Sequence, residues 1–142
     1  MACTAAGCSF VHWDNPVPVV AALVEGPNGI LLARNVAWAP GVFSLITGFL
    51  ESGEVPVEGM RREVHEELGL AVVREVFLGH YVAPANQVLC AYWAEVSGVP
   101  CPNEELAEIL WVSRADLVLR PFTGLPITQA VVQSALALWK RG

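Results

Sequence analysis

The stretch from Pro56 to Leu68, "PVEGMRREVHEEL", constrains the fold more than any other part of the chain. Its apolar residues Val57, Met60, Val64 and Leu68 recur at spacings of three and four, which puts them on one stripe of an α-helix. Pro56 suits the first helical turn and Gly69 the C-terminal cap. Glu63, Glu66 and Glu67 fall within about one 100° sector at the edge of that stripe. Like charges three and four residues apart cost an isolated helix about 0.2–0.5 kcal/mol per pair. Arg62, four residues before Glu66, offsets one of them. In a chain with only 15% charged residues, such a cluster reads as a solvated helical face or as a seat for a cation. Hard divalent ions with oxygen ligands, Mg²⁺ or Mn²⁺, fit the second reading.

The rest of the chain supplies strands. "VPVVAALVE", Val17 to Glu25, is β-branched and apolar; "GPNG" turns it and "ILLAR" resumes, which predicts a hairpin. "VFSLITGFL" reads as a strand ending at Gly48, and "AVVREVFLGHYV", "QVLCAYWAEV" and "EILWVS" follow as strands beyond the helix. A second amphipathic helix is predicted over 126–140. Strands, helix, strands, helix indicates an α+β fold, a mixed β-sheet sandwiched between α-helices, with 1–142 a single domain.

Composition excludes some functions. The formal charge of -6 argues against a general nucleic-acid surface, which needs a basic stripe. Mean hydropathy is high at +0.49, yet no apolar run reaches the roughly 18 residues of a membrane span. With no basic segment leading an apolar one near Met1, a cytoplasmic location is expected and disulfides among Cys3, Cys8, Cys90 and Cys101 are not. Five tryptophans, Trp13, Trp38, Trp93, Trp111 and Trp139, read as core or interface and suggest a homodimer. His12, His65 and His80 carry no site signal.

From Gly48 to Leu70 the chain reads "GFLESGEVPVEGMRREVHEELGL". Gly48, Glu54, Arg62, Glu63, Val64, Glu66, Glu67, Gly69 and Leu70 match the signature of the Nudix hydrolase family, a coincidence expected by chance on the order of 10⁻⁷. The resemblance implies a loop, helix, loop that binds Mg²⁺ or Mn²⁺ on Glu63, Glu66 and Glu67 with the Gly48 carbonyl. It implies hydrolysis of a nucleoside diphosphate linked to another moiety, X. Glu63 is similar in position to a residue that serves as ligand or as base, Arg62 orients the carboxylates, and Glu54, Gly53 and Gly69 support the cluster. Two positions depart from the family's habit. Val55 stands where a capping Thr is common, a loss of about 0.5–2 kcal/mol. Gly59 stands where Ala is common, costing roughly 1 kcal/mol in a helix.

Beyond the signature, "CSFVHWDNPVPVVAALVE" and "NEELAEILWVSRADL" resemble the NADH pyrophosphatase and ADP-ribose pyrophosphatase-like branch. There, a glutamate three before a tryptophan is a further metal ligand, which points to Glu108 before Trp111 as ligand and, beside Glu63, as the other candidate base; Glu105 is second choice and a candidate substrate contact, and an exposed acidic turn is the alternative for both. Cys3 and Cys8 look like the remnant, within 1–15, of a zinc ribbon that needs four ligands, so zinc is not expected. "YVAPANQVLCAYW" replaces the aromatic and proline-rich motif of NADH-cleaving members, which moves the expectation toward ADP-ribose or another nucleoside diphosphate derivative. Tyr81, Asn86 and Gln87 are the candidate nucleotide contacts. A catalytically silent nucleotide-binding sensor of the same fold, and a zinc-stabilised interaction module resting on Cys3 and Cys8, are the competing readings.

Overall fold

A computed structural model describes residues 14–141. Cys3, Cys8, His12 and Trp13, and with them all but the last two positions of the zinc-ribbon remnant, lie outside the described residues. Six strands and three helices follow in the order β1 (Val17–Gly26), β2 (Gly29–Asn35), β3 (Ile46–Phe49), α1 (Pro56–Leu68), β4 (Ala71–Ala83), β5 (Gln87–Ser97), β6 (Leu106–Val112), α2 (Arg114–Leu119) and α3 (Pro126–Arg141). The sheet runs β4-β5-β1-β2-β6, and β3 also pairs with β1. β1 lies parallel to β5 and antiparallel to β2 and β3, so the sheet is mixed, as the pattern of elements implied.

The run "VVAALV" reads as uniformly apolar because β1 is buried on both faces. Val20, Ala22 and Val24 pack with Met60, Val64 and Leu68 of α1. The alternate residues Val19, Ala21 and Leu23 pack with Leu117 of α2 and Val131, Val132 and Ala135 of α3. Period-2 alternation in the strand thus serves two helical layers. Met60, Val64 and Leu68 have no exposed surface, and each such burial contributes about 1.5–3 kcal/mol. That gain exceeds the repulsion among the glutamates on the same helix.

α1 has the predicted bounds. Its N-cap, Val55, makes no side-chain cap bond, and Gly69 closes it in the left-handed region at φ 67°, with its N–H donated to the His65 carbonyl. Two expectations change. The strand predicted from Val42 to Gly48 begins only at Ile46 and runs to Phe49 as β3, because Ser44 makes only an isolated bridge with Ala33 before β1 takes up the pairing. α2 was not predicted; Ser113 caps it by accepting from the Asp116 N–H at 3.0 Å. Among the described residues no helix is long and apolar enough to cross a membrane.

Gly59 has a packing reason. It is buried, and a methyl group there would overlap Leu50 Cδ2 and come within 2.9 Å of Glu54 Oε1. The loop before α1 lies against the helix at the point where a β-carbon would stand. Gly59→Ala should therefore lose stability despite the better helix propensity of alanine, by about 1–3 kcal/mol. Urea denaturation checks this, and a raised midpoint would count against the packing account.

Candidate active site

α1 and the edge of β3 form one wall of a cleft of about 800 Å³. Gly48, Arg62, Glu63, Glu66 and Glu67 line it, together with Gln87, Asn103 and Glu105. Gly48 is needed for proximity: a β-carbon there would overlap the Glu63 carboxylate. Gly53, at φ 78°, turns the loop that carries Glu54.

Arg62 organises the acids. Its Nε and Nη2 donate to the two oxygens of Glu54 at 2.8 and 3.0 Å, a forked pair. Nη2 also donates to the Phe49 carbonyl at 3.0 Å. Nη1 donates to Glu63 Oε1 at 2.8 Å and Glu66 Oε2 at 3.1 Å. Glu54 Oε1 accepts the Glu51 N–H as well, at 3.0 Å. Arg62 and the Glu51 N–H hold the Glu54 carboxyl below its ordinary range, and the Glu54 bond raises Arg62 further above the usual guanidinium value.

The helix's other two inward acids behave differently. Burial pushes the Glu63 carboxyl up, opposed by the bond from Arg62 and reinforced by the charges of Glu66 and Glu105. Glu67 is only 4% exposed, and among the described residues its Oε2 has no hydrogen-bond partner. Burial, then the charges of Glu63 and Glu105, push it up to about 8. A buried, unpartnered carboxylate oxygen facing other carboxylates is costly unless a cation completes it. The donor set is all oxygen, which suits a hard divalent ion. Among the described residues no three His, Cys, Asp or Glu groups already converge as a cage. Glu63 and Glu66 are both drawn to the Arg62 guanidinium.

The opposite wall comes from two loops. Cys101 N–H donates to the Leu68 carbonyl at 2.7 Å and Asn103 N–H to the Glu67 carbonyl at 2.9 Å, satisfying carbonyls left free at the end of α1. Asn103 Oδ1 then accepts the Glu105 N–H at 2.9 Å, and the Glu105 carbonyl accepts the Val36 N–H at 2.9 Å. Glu105 is delivered to the cluster in this way.

Glu108 is not. β6 pairs with β2 so that Glu108 faces Arg34, which donates to its Oε1 at 2.9 and 3.1 Å, and the side chain is 52% exposed. The order of the two acids inferred from the sequence is thus reversed in space. Of the three nucleotide candidates only Gln87 reaches the cleft. Tyr81 packs on the α3 side and shares a hydrogen bond with Ser134. Asn86 occupies the β4–β5 turn at φ 53° and donates to Asp14 at 3.0 Å. Sequence reasoning missed Asn35, Thr47, Phe49 and Asn103, which also line the cleft. For both asparagines a signal existed, since each accepts the N–H two residues on, an Asx turn.

The profile of the NUDIX domain matches residues 15–132. The chain belongs to the Nudix family. It is 31% identical over 137 residues to the NAD-capped RNA hydrolase NudC of Photobacterium profundum, covering 94% of this chain and 51% of that protein. It is 30% identical over 135 residues to that of Pseudomonas aeruginosa, covering 93% and 47%. This Nudix chain therefore spans about half the length of the curated relatives it matches. A MutT protein from Methanosarcina mazei shares the Nudix fold with a TM-score of 0.69 at 21% identity, over 89% of this chain and 98% of its own.

The raised Glu67 sets a pH dependence. The folded protein holds this proton up to about pH 8, whereas the unfolded chain releases it near 4.5, so metal-free stability should fall as pH rises across that window. Glu67→Gln should flatten the fall and stabilise the metal-free protein at pH 8 by about 1–3 kcal/mol. Urea denaturation in chelator at several pH values checks both, and saturating Mg²⁺ should restore the native protein at the alkaline end.

Proposed function

We propose that this chain is a Mg²⁺- or Mn²⁺-dependent pyrophosphohydrolase that cleaves the diphosphate of a nucleoside diphosphate linked to another moiety, of the ADP-ribose or NAD(H) type, to a nucleoside monophosphate and phospho-X. The observation that carries the reading is the buried, unpartnered Glu67 oxygen beside Glu63 in a cleft of oxygen donors. The names of the relatives, hydrolases of NAD-capped RNA, support the substrate class. The net charge of -6 favours a free nucleotide over RNA.

In this reading Glu63, Glu66, Glu67, Glu105 and the Gly48 carbonyl hold the metal. When bound, it neutralises diphosphate oxygens and acidifies water. Arg62 and Glu54 position the carboxylates, and Gly53 and Gly69 shape the loops at either end of α1. Glu63 or Glu105 takes the proton as the water oxygen bonds to phosphorus and the bridging P–O bond breaks; the leaving phosphate accepts a proton from solvent. Exposed Val73, Phe77 and Val82 on β4 add to the composition argument for a homodimer.

Release of nucleoside monophosphate from ADP-ribose and NADH, with Mg²⁺ or Mn²⁺, tests the assignment. Glu67→Gln and Glu105→Gln should each lower kcat by about 10²-fold or more. Glu108→Gln, which loses only an exposed ion pair, should stay within about threefold. An undiminished rate in Glu67→Gln would sink the proposal. A folded protein that binds nucleotide and metal without product would be the silent sensor instead.

A further inference from the structure

The charges lining the cleft are unbalanced. Glu51, Glu63, Glu66, Glu67 and Glu105 face it, and among the described residues its one basic side chain is Arg62. That guanidinium is committed to Glu54, Glu63, Glu66 and the Phe49 carbonyl. No lysine or arginine occurs in residues 1–13 either. Among the described residues, phosphate charge entering the cleft therefore meets carboxylates and no uncommitted basic side chain, which leaves bound cations to balance it.

The polar remainder is neutral, and two of its members have a fixed direction. Asn35 Oδ1 accepts the Ala37 N–H at 2.9 Å, and Asn103 Oδ1 accepts the Glu105 N–H at 2.9 Å. With each carbonyl end engaged by its own loop, the amide NH₂ is the end left for a ligand, and it only donates. The two loops are joined by the bond from the Val36 N–H to the Glu105 carbonyl, so the two amides stand on one wall. Neutral donors paired on one wall suit hydroxyl oxygens, which accept without adding charge.

Building on the function proposed above, we infer that Asn35 and Asn103 determine substrate choice: their NH₂ groups hold the hydroxyls of a sugar esterified to the diphosphate, and the cleft disfavours a free terminal phosphate. Nucleoside triphosphates carry more charge and offer the two amides no second sugar.

Isothermal titration of the whole chain, with Ca²⁺ in place of Mg²⁺ to suppress turnover, tests this with ADP-ribose, the β-methyl ester of ADP, and ATP. ADP-ribose should bind about tenfold or more tighter than the methyl ester, which has the same diphosphate charge and lacks the second sugar. ATP should bind more weakly than ADP-ribose. Asn35→Asp and Asn103→Asp, which keep the side-chain oxygen that each turn needs and lose the NH₂ donor, should each reduce the sugar's advantage over the methyl ester severalfold. ATP binding as tight as ADP-ribose would overturn the inference. So would equal losses for both esters in the variants, which would show loop support alone, or binding of none of the three. Monophosphate release is scored separately with Mg²⁺: binding in the predicted pattern without release sinks the hydrolase reading and leaves the selectivity standing.

Discussion

The rest of the site depends on one guanidinium. α1 places three carboxylates on the margin of a buried face, where their mutual repulsion is strengthened by poor solvation. Arg62 draws Glu63 and Glu66 to one nitrogen, forks onto Glu54, and reaches the Phe49 carbonyl at the end of β3. The helix, the loop before it and the strand before that are tied together at this group. Because Arg forms a planar fork, a lysine here would keep the charge and lose the simultaneous contacts. Of the three clustered glutamates only Glu67 has no bond from Arg62, and its Oε2 is the oxygen left for something else.

The apolar core and the polar site share elements without sharing residues. Met60, Val64 and Leu68 fix α1 against the sheet through apolar contacts with Val20, Ala22 and Val24. The glutamates ride on a platform whose position is set by packing. Gly48 and Gly59 remove the two β-carbons that would otherwise hold the platform away from β3 and from the preceding loop.

How much of this was legible in the sequence follows from how local each determinant is. α1 was readable to the residue because its period, its proline and its terminal glycine act within one helix. The mixed sheet was readable in outline, from alternating apolar runs and turns. β3 was overextended because apolar content does not reveal where a pairing partner begins, and α2 was missed although Ser113 and Asp116 carry a capping signal. Glu105 and Glu108 could not be ordered from sequence. Their separation depends on the register of β6 against β2 and on an Asx turn at Asn103, and both are fixed by distant strands. Tyr81 was assigned to the nucleotide on residue type, but strand parity turns it to the α3 side.

The loop between β5 and β6 closes the end of α1 with the Cys101 and Asn103 amides and carries Glu105 two residues further on. It therefore has two parts with different tolerance to change in length. Residues added between Ser97 and Cys101 would bulge into solvent ahead of the first anchor and leave the wall intact. One residue added between Asn103 and Glu105 would break the turn and swing the acid away. A lineage of such chains is free to lengthen this loop on one side of its anchors and is held to fixed spacing on the other.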